Sequence, residues 1–144
     1  MKSAHLNLIM AWTWILLGFL SGMLQGLFFH QENWLGGYSS FKRRMYRLAH
    51  ISFFGLGTVN LLFYLTVQGV PLTGALGVAS VSFIVGAISM PICSLLLAHF
   101  PKAHALFCIP VVSLILAGVL TLFNLSPSHV RDRVSVTPNT PSTF

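Results

Sequence analysis

The chain is almost without carboxylates, since Glu32 and Asp132 are its only acidic residues. Paired-carboxylate hydrolysis, a Ser-His-Asp triad and an octahedral oxygen site for magnesium all find too few acidic groups here. No G-x-x-x-x-G-K-[ST] or G-x-G-x-x-G run occurs, so nucleotide binding has no support. Charge of either sign is scarce, at 7 % of residues, and it is absent from Ser3 to Gln31 and again from Ile51 to Pro101. A surface solvated by water needs roughly a quarter of its residues ionic. The solvent of this chain is therefore a lipid bilayer.

What remains is four apolar runs, at about 6–29, 50–70, 73–99 and 103–125. Each can cross a hydrocarbon core of ~30 Å, which takes about 20 helical residues. Backbone groups in lipid must be satisfied within the segment, and the runs lack the alternation of barrel strands, so they read as helices. The short connections at Pro71-Leu72 and Pro101-Lys102 force antiparallel neighbours. The expected architecture is an all-α integral membrane protein, an up-down bundle of four transmembrane helices forming one domain over 1–125. A disordered C-terminal tail, 126–144, rich in Ser, Thr and Pro, should follow it. The first run is longer than the roughly 7–15 residues of a secretory signal and reads as a retained helix.

Lys42, Arg43, Arg44 and Arg47 crowd the first loop and Lys102 the third, against Lys2, Arg131 and Arg133 on the other side. The positive-inside rule then puts the basic loop in the cytoplasm and both termini outside, as for a multi-pass protein of a bacterial inner membrane. A net charge of +6 concentrated beside the bilayer calls for anionic lipid headgroups as partner, and not for nucleic acid. Trp34 and Tyr38 are suited to anchor this loop at the interface, Gly36-Gly37 to turn it, and Ser39 or Ser40 to cap a second helix that starts before it enters the membrane.

Gly18, Gly22 and Gly26 recur every four residues, a stripe that admits a neighbouring helix, or a flat ligand with His30 at its edge. His30, His50, His99 and His104 all fall at the basic end of an up-down bundle. Histidines at one level can hold haem b between helices, with Arg43, Arg44 or Arg47 pairing its propionates. They are equally acceptable as interfacial side chains. His50 is the first ligand to consider, its face continuing through Phe54 and Gly57, with His104 as partner. Met90, Cys93, His104 and Cys108 lie at similar depth on helices 3 and 4, a soft donor set suited to copper, although Cys and Met also fill apolar helices. Pro91 and Pro110 should each free a carbonyl, for Ser89 or another helix to satisfy, and Asn60 and Gln25 should bond across helices. The leading expectation is a non-catalytic subunit or accessory factor of a membrane complex, packed against other membrane subunits. A haem b or copper redox subunit is the alternative. A small transporter has least support, because no ionisable residue lies deep in a span.

Overall fold

The computed structural model describes residues 4–72 and 74–125; the expected tail and Lys2 lie outside the described residues. Four long helices and no strand occur among the described residues: α1 (His5–Phe28), α2 (Phe41–Thr66), α3 (Gly74–His99) and α4 (Cys108–Leu125). Two 3-10 segments, Trp34–Gly36 and Pro101–Phe107, lead into α2 and α4. Each long helix, with α4 counted from Pro101, is long and apolar enough to cross a membrane. The protein is a multi-pass, all-α membrane protein.

Helix 2 begins at Phe41, ahead of the apolar run from His50, and of the two expected caps it is Ser40 that serves. The Ser40 side chain accepts a hydrogen bond from the Arg43 backbone N–H at 3.1 Å while its backbone stays extended. The basic residues thus stand on the first turns of α2, and His50 lies well inside the helix. Helix 4 starts late for the converse reason: with Pro101 at its first position, the chain runs as a 3-10 helix as far as Phe107.

The helices pack in sequence order, α1 on α2, α2 on α3 and α3 on α4, with α1 touching α3 only lightly. Phe63, Val67, Leu76, Ala79, Phe83 and Ala117 form the buried core, where the Phe63 and Phe83 rings lie 5.2 Å apart. Trp12, Phe19, Leu27, Val112 and Leu122 point outward and supply the surface that lipid covers.

The glycine stripe packs, though not as a backbone groove. A methyl at Gly18 would lie 2.9 Å from the Phe54 ring and one at Gly22 would lie 2.8 Å from the His50 ring, while one at Gly26 would meet nothing. The backbone approach is at Gly57, where an added methyl would stand 3.1 Å from the Ala11 carbonyl. The strip His50–Phe54–Gly57, expected to leave a slot for a flat ring, is thus filled by α1.

Both prolines behave as their chemistry demands. Pro91 removes the N–H that would bond the Ala87 carbonyl, and the Trp14 indole on α1 donates to that carbonyl instead, at 2.9 Å. Ser89 is spent on Val85 and Gly86. Pro110, expected to free a carbonyl, instead stands third in α4, in the first turn where its missing N–H costs no helical bond, and the Leu106 carbonyl before it accepts from the Cys93 thiol at 3.5 Å.

Three helices are tied by amides. Asn7, fully buried, donates to Asn60 Oδ1 at 2.9 Å, and the Ser80 hydroxyl donates to Asn7 Oδ1 at 2.5 Å. Asn60 sits in the last two turns of α2, so this network closes the end of the array opposite the basic residues. Gln25 bonds across helices at the basic end, donating to the Tyr46 carbonyl at 3.3 Å.

Candidate functional site

The basic end is organised around a buried cation. Arg43 is only 2 % exposed, and its Nη2 donates to the Phe29 carbonyl at 3.4 Å. Its guanidinium stands 4.9 Å from the Phe29 ring centroid, 5.3 Å from that of Tyr38 and 5.5 Å from that of Trp34. Each desolvated cation–π contact is worth on the order of 1–2 kcal/mol. Arg43 is therefore not a surface cation beside Arg44 and Arg47, as the sequence had suggested. Arg44 is exposed, 5.9 Å from the Phe41 ring centroid, and Arg47 lies 4.7 Å from the Tyr38 ring centroid. No ion pair occurs among the described residues.

One turn deeper lies His50, three residues beyond Arg47 and so about 4.5 Å further along the helix axis. Its Nδ1 is 2.9 Å from the Ser21 hydroxyl on α1. That hydroxyl is also 3.0 Å from the Gly18 carbonyl oxygen. A hydroxyl has one proton, so Ser21 either donates to Gly18 and accepts from His50 Nδ1–H or donates to the Nδ1 lone pair. Ser21 thus engages the imidazole at Nδ1, and Nε2 has no hydrogen-bond partner.

His50 lines a cavity of about 370 Å³ enclosed by α1, the Trp34–Gly36 turn, α2 and Leu95 of α3. Phe28, Trp34, Tyr46 and Phe53 make aromatic walls, with the Phe28 and Trp34 rings stacked at 5.9 Å. Leu24, Phe28 and Leu95 at its margin are also outward-facing, so the cavity opens toward lipid. Ser21, Gln25, Tyr46 and His50 are its polar side chains. One N–H of the Gln25 amide donates to the Tyr46 carbonyl, which leaves its second N–H and its Oε1, like the Trp34 indole N–H, without a hydrogen-bond partner.

The other histidines are dispersed. His99 pairs with the Tyr46 hydroxyl at 3.1 Å, His30 is exposed after α1, and His104 is exposed on the 3-10 segment packed against α3 and α4. His50 and His104 share no partner in the structure. Cys93 is buried and bonded to Leu106, Cys108 is exposed, and both are free thiols. Among the described residues, no three His, Cys, Asp or Glu side chains converge to hold a metal ion, so Cys93, His104 and Cys108 do not form such a group with each other. Met90 is half-buried on α3.

Sequence reasoning singled out His50 but missed Ser21, its orienting partner, and the cavity walls. Comparison with protein-family models, curated proteins and solved structures finds no match, so the functional reading rests on this geometry.

Proposed function

We propose that this protein is a non-catalytic subunit or accessory factor of the membrane that holds a lipophilic ligand at its basic end. The cavity beside His50 carries the reading: it has aromatic walls, lies about a turn below the basic residues and offers a single oriented imidazole. Its volume falls within the range of about 300–1,000 Å³ typical of small-molecule sites. Autonomous catalysis lacks the acid–base pairs it would need. Transport lacks an ionisable site near the bilayer midplane, where Gly57 packs on the Ala11 carbonyl.

The second reading is a haem b subunit with His50 as ligand. Its specific support is the Ser21 contact, because an imidazole that donates from Nδ1 presents Nε2 to a metal. A second axial imidazole has no support in the cavity.

Protein purified from its native membrane in mild detergent tests both readings. Solvent extraction and mass spectrometry should find one small lipophilic molecule per chain, lost on Ala49→Phe, which fills the cavity, with helicity unchanged by circular dichroism. A Soret band would identify that molecule as haem. Equal extracts from wild type and the filled variant would refute the cavity as the site.

A further inference from the structure

Resting on the cavity as a ligand site, we propose that its occupant is an acidic phospholipid, with one acyl chain in the cavity and its phosphate on Lys42. The polarity of the site changes along the helix axis in the order that such a lipid presents. Its deep end is apolar, since Phe53 lies about 10 Å further along α2 than Tyr46. Tyr46, Ala49 and Phe53 recur at spacings of three and four, and so share one face of α2. Four residues before Tyr46 stands Lys42, which continues that face one turn toward the water. On α3 the cavity residue is Leu95, and four residues beyond it stands His99, exposed and 3.1 Å from the Tyr46 hydroxyl. Both helices thus pass from cavity wall to polar rim within a single turn.

The opening faces hydrocarbon between Leu24 and Phe28 of α1 and Leu95 of α3, so the occupant enters from the bilayer. An apolar wall with nothing against it loses its dispersion contacts, and an acyl chain restores them. Between its chains and its phosphate a phospholipid carries ester carbonyls, which accept hydrogen bonds. The lining one turn below Lys42 holds the Trp34 indole N–H and the second Gln25 N–H, both without a partner. Neither donor depends on the tautomer of His50. Charge selects the headgroup. Lys42 is half-buried and has no ion pair among the described residues, whereas Arg43 is enclosed and Arg44 lies on the opposite face of α2. Against these bases and Lys102, the described residues set a single carboxylate, the exposed Glu32, so the rim attracts anions. One basic residue at the bilayer surface corresponds to about fivefold in affinity for an acidic lipid.

The test uses the full chain reconstituted in vesicles of equal parts phosphatidylglycerol and phosphatidylcholine with matched chains. The protein is then released into mild detergent and its retained lipid counted by native mass spectrometry. One phospholipid per chain should remain, with phosphatidylglycerol favoured by about fivefold or more. Lys42→Gln should bring the two lipids to within about twofold, while Lys42→Arg should keep the preference. Arg44→Gln, which removes the same charge from the opposite face, should keep it as well, and Ala49→Phe should remove the lipid at unchanged helicity. Equal retention of the two lipids by wild type, a preference that survives Lys42→Gln, or an equal loss in Arg44→Gln would overturn the phosphate assignment while leaving the cavity a ligand site. Recovery of a different molecule, lost on Ala49→Phe, would overturn the ligand class alone. Phospholipid retained by Ala49→Phe as fully as by wild type would overturn the cavity reading together with the proposal.

Discussion

Removing the Trp14 indole N–H tests the account of how this bundle tolerates proline. In the wild-type chain Trp14 is the donor to the Ala87 carbonyl that Pro91 leaves without its helical partner. Trp14→Phe keeps an aromatic ring near Phe53, whose centroid is 5.8 Å away, but strands that carbonyl within the array. An unpaired buried acceptor costs about 1–3 kcal/mol, while hydrogen bonds between membrane helices average about 0.6 and reach about 1.7 kcal/mol. We expect a loss near 1 kcal/mol, roughly a fivefold change in the folded ratio. The informative measurement is the cycle with Pro91→Ala. Residue 91 then regains an N–H that can bond Ala87 within α3, so the same Trp14→Phe change should cost only its packing difference. Packing is common to both backgrounds and cancels, leaving a coupling of about 1 kcal/mol. Reversible unfolding of the four proteins in mixed detergent micelles measures it. A coupling indistinguishable from zero would refute the claim that the indole serves the carbonyl freed by Pro91.

Gly22→Leu should destabilise or prevent assembly in the same assay, since even a methyl would meet the His50 ring at 2.8 Å, whereas Gly26→Leu, which meets nothing, should stay within about 0.5 kcal/mol. Gly69, at φ +76°, is no neutral control, because a leucine there should be strained by about 1–2 kcal/mol. Asn7→Leu should cost about 1–3 kcal/mol by stranding Asn60 Oδ1 and the Ser80 hydroxyl, and a stability equal to wild type would show that the amide network contributes nothing. Maleimide labelling in detergent should modify exposed Cys108 rapidly and buried Cys93 slowly; equal rates would contradict the Cys93–Leu106 contact. Reporter fusions after residue 125 and within Gly36–Ser39 should place the basic loop in the cytoplasm, and activity of a cytoplasm-only reporter at the C-terminal position would reverse the orientation.

The spans were legible because missing charge is a property of composition, requiring no knowledge of which residue faces which. The start of α2 ahead of the membrane was legible too, from the Ser39 or Ser40 cap; the enclosure of Arg43 was not, because by charge it resembles Arg44 and Arg47. Contacts between helices were hidden for a different reason. An amphipathic helix advertises its buried face, but a helix in lipid is apolar all round, so periodicity does not reveal that Ser21 meets His50 or that Trp14 meets Ala87. The carbonyl left by Pro91 was readable; its donor was not. His50 emerged from the sequence because four histidines fall at the basic end of the bundle and only its face continues through Phe54 and Gly57. Its partner Ser21 on α1 needed the three-dimensional structure.

The scarcity of carboxylates also shapes the site. Glu32 is the only acidic residue among the described ones and it is exposed, so Arg43 has no ion pair to accompany it into the bilayer boundary. Three aromatic rings and the Phe29 carbonyl surround it instead. That enclosure draws the end of α1 and the Trp34 turn onto the first turns of α2. Trp34 then reaches back to stack on Phe28 and becomes a wall of the cavity that His50 lines. Arg43 thus acts as an internal fastener, and the cavity borders the Trp34 ring that it holds. An anionic group at this end would meet Lys42, Arg44 or Arg47 and not the enclosed Arg43, while the cavity is walled mostly by apolar and aromatic side chains.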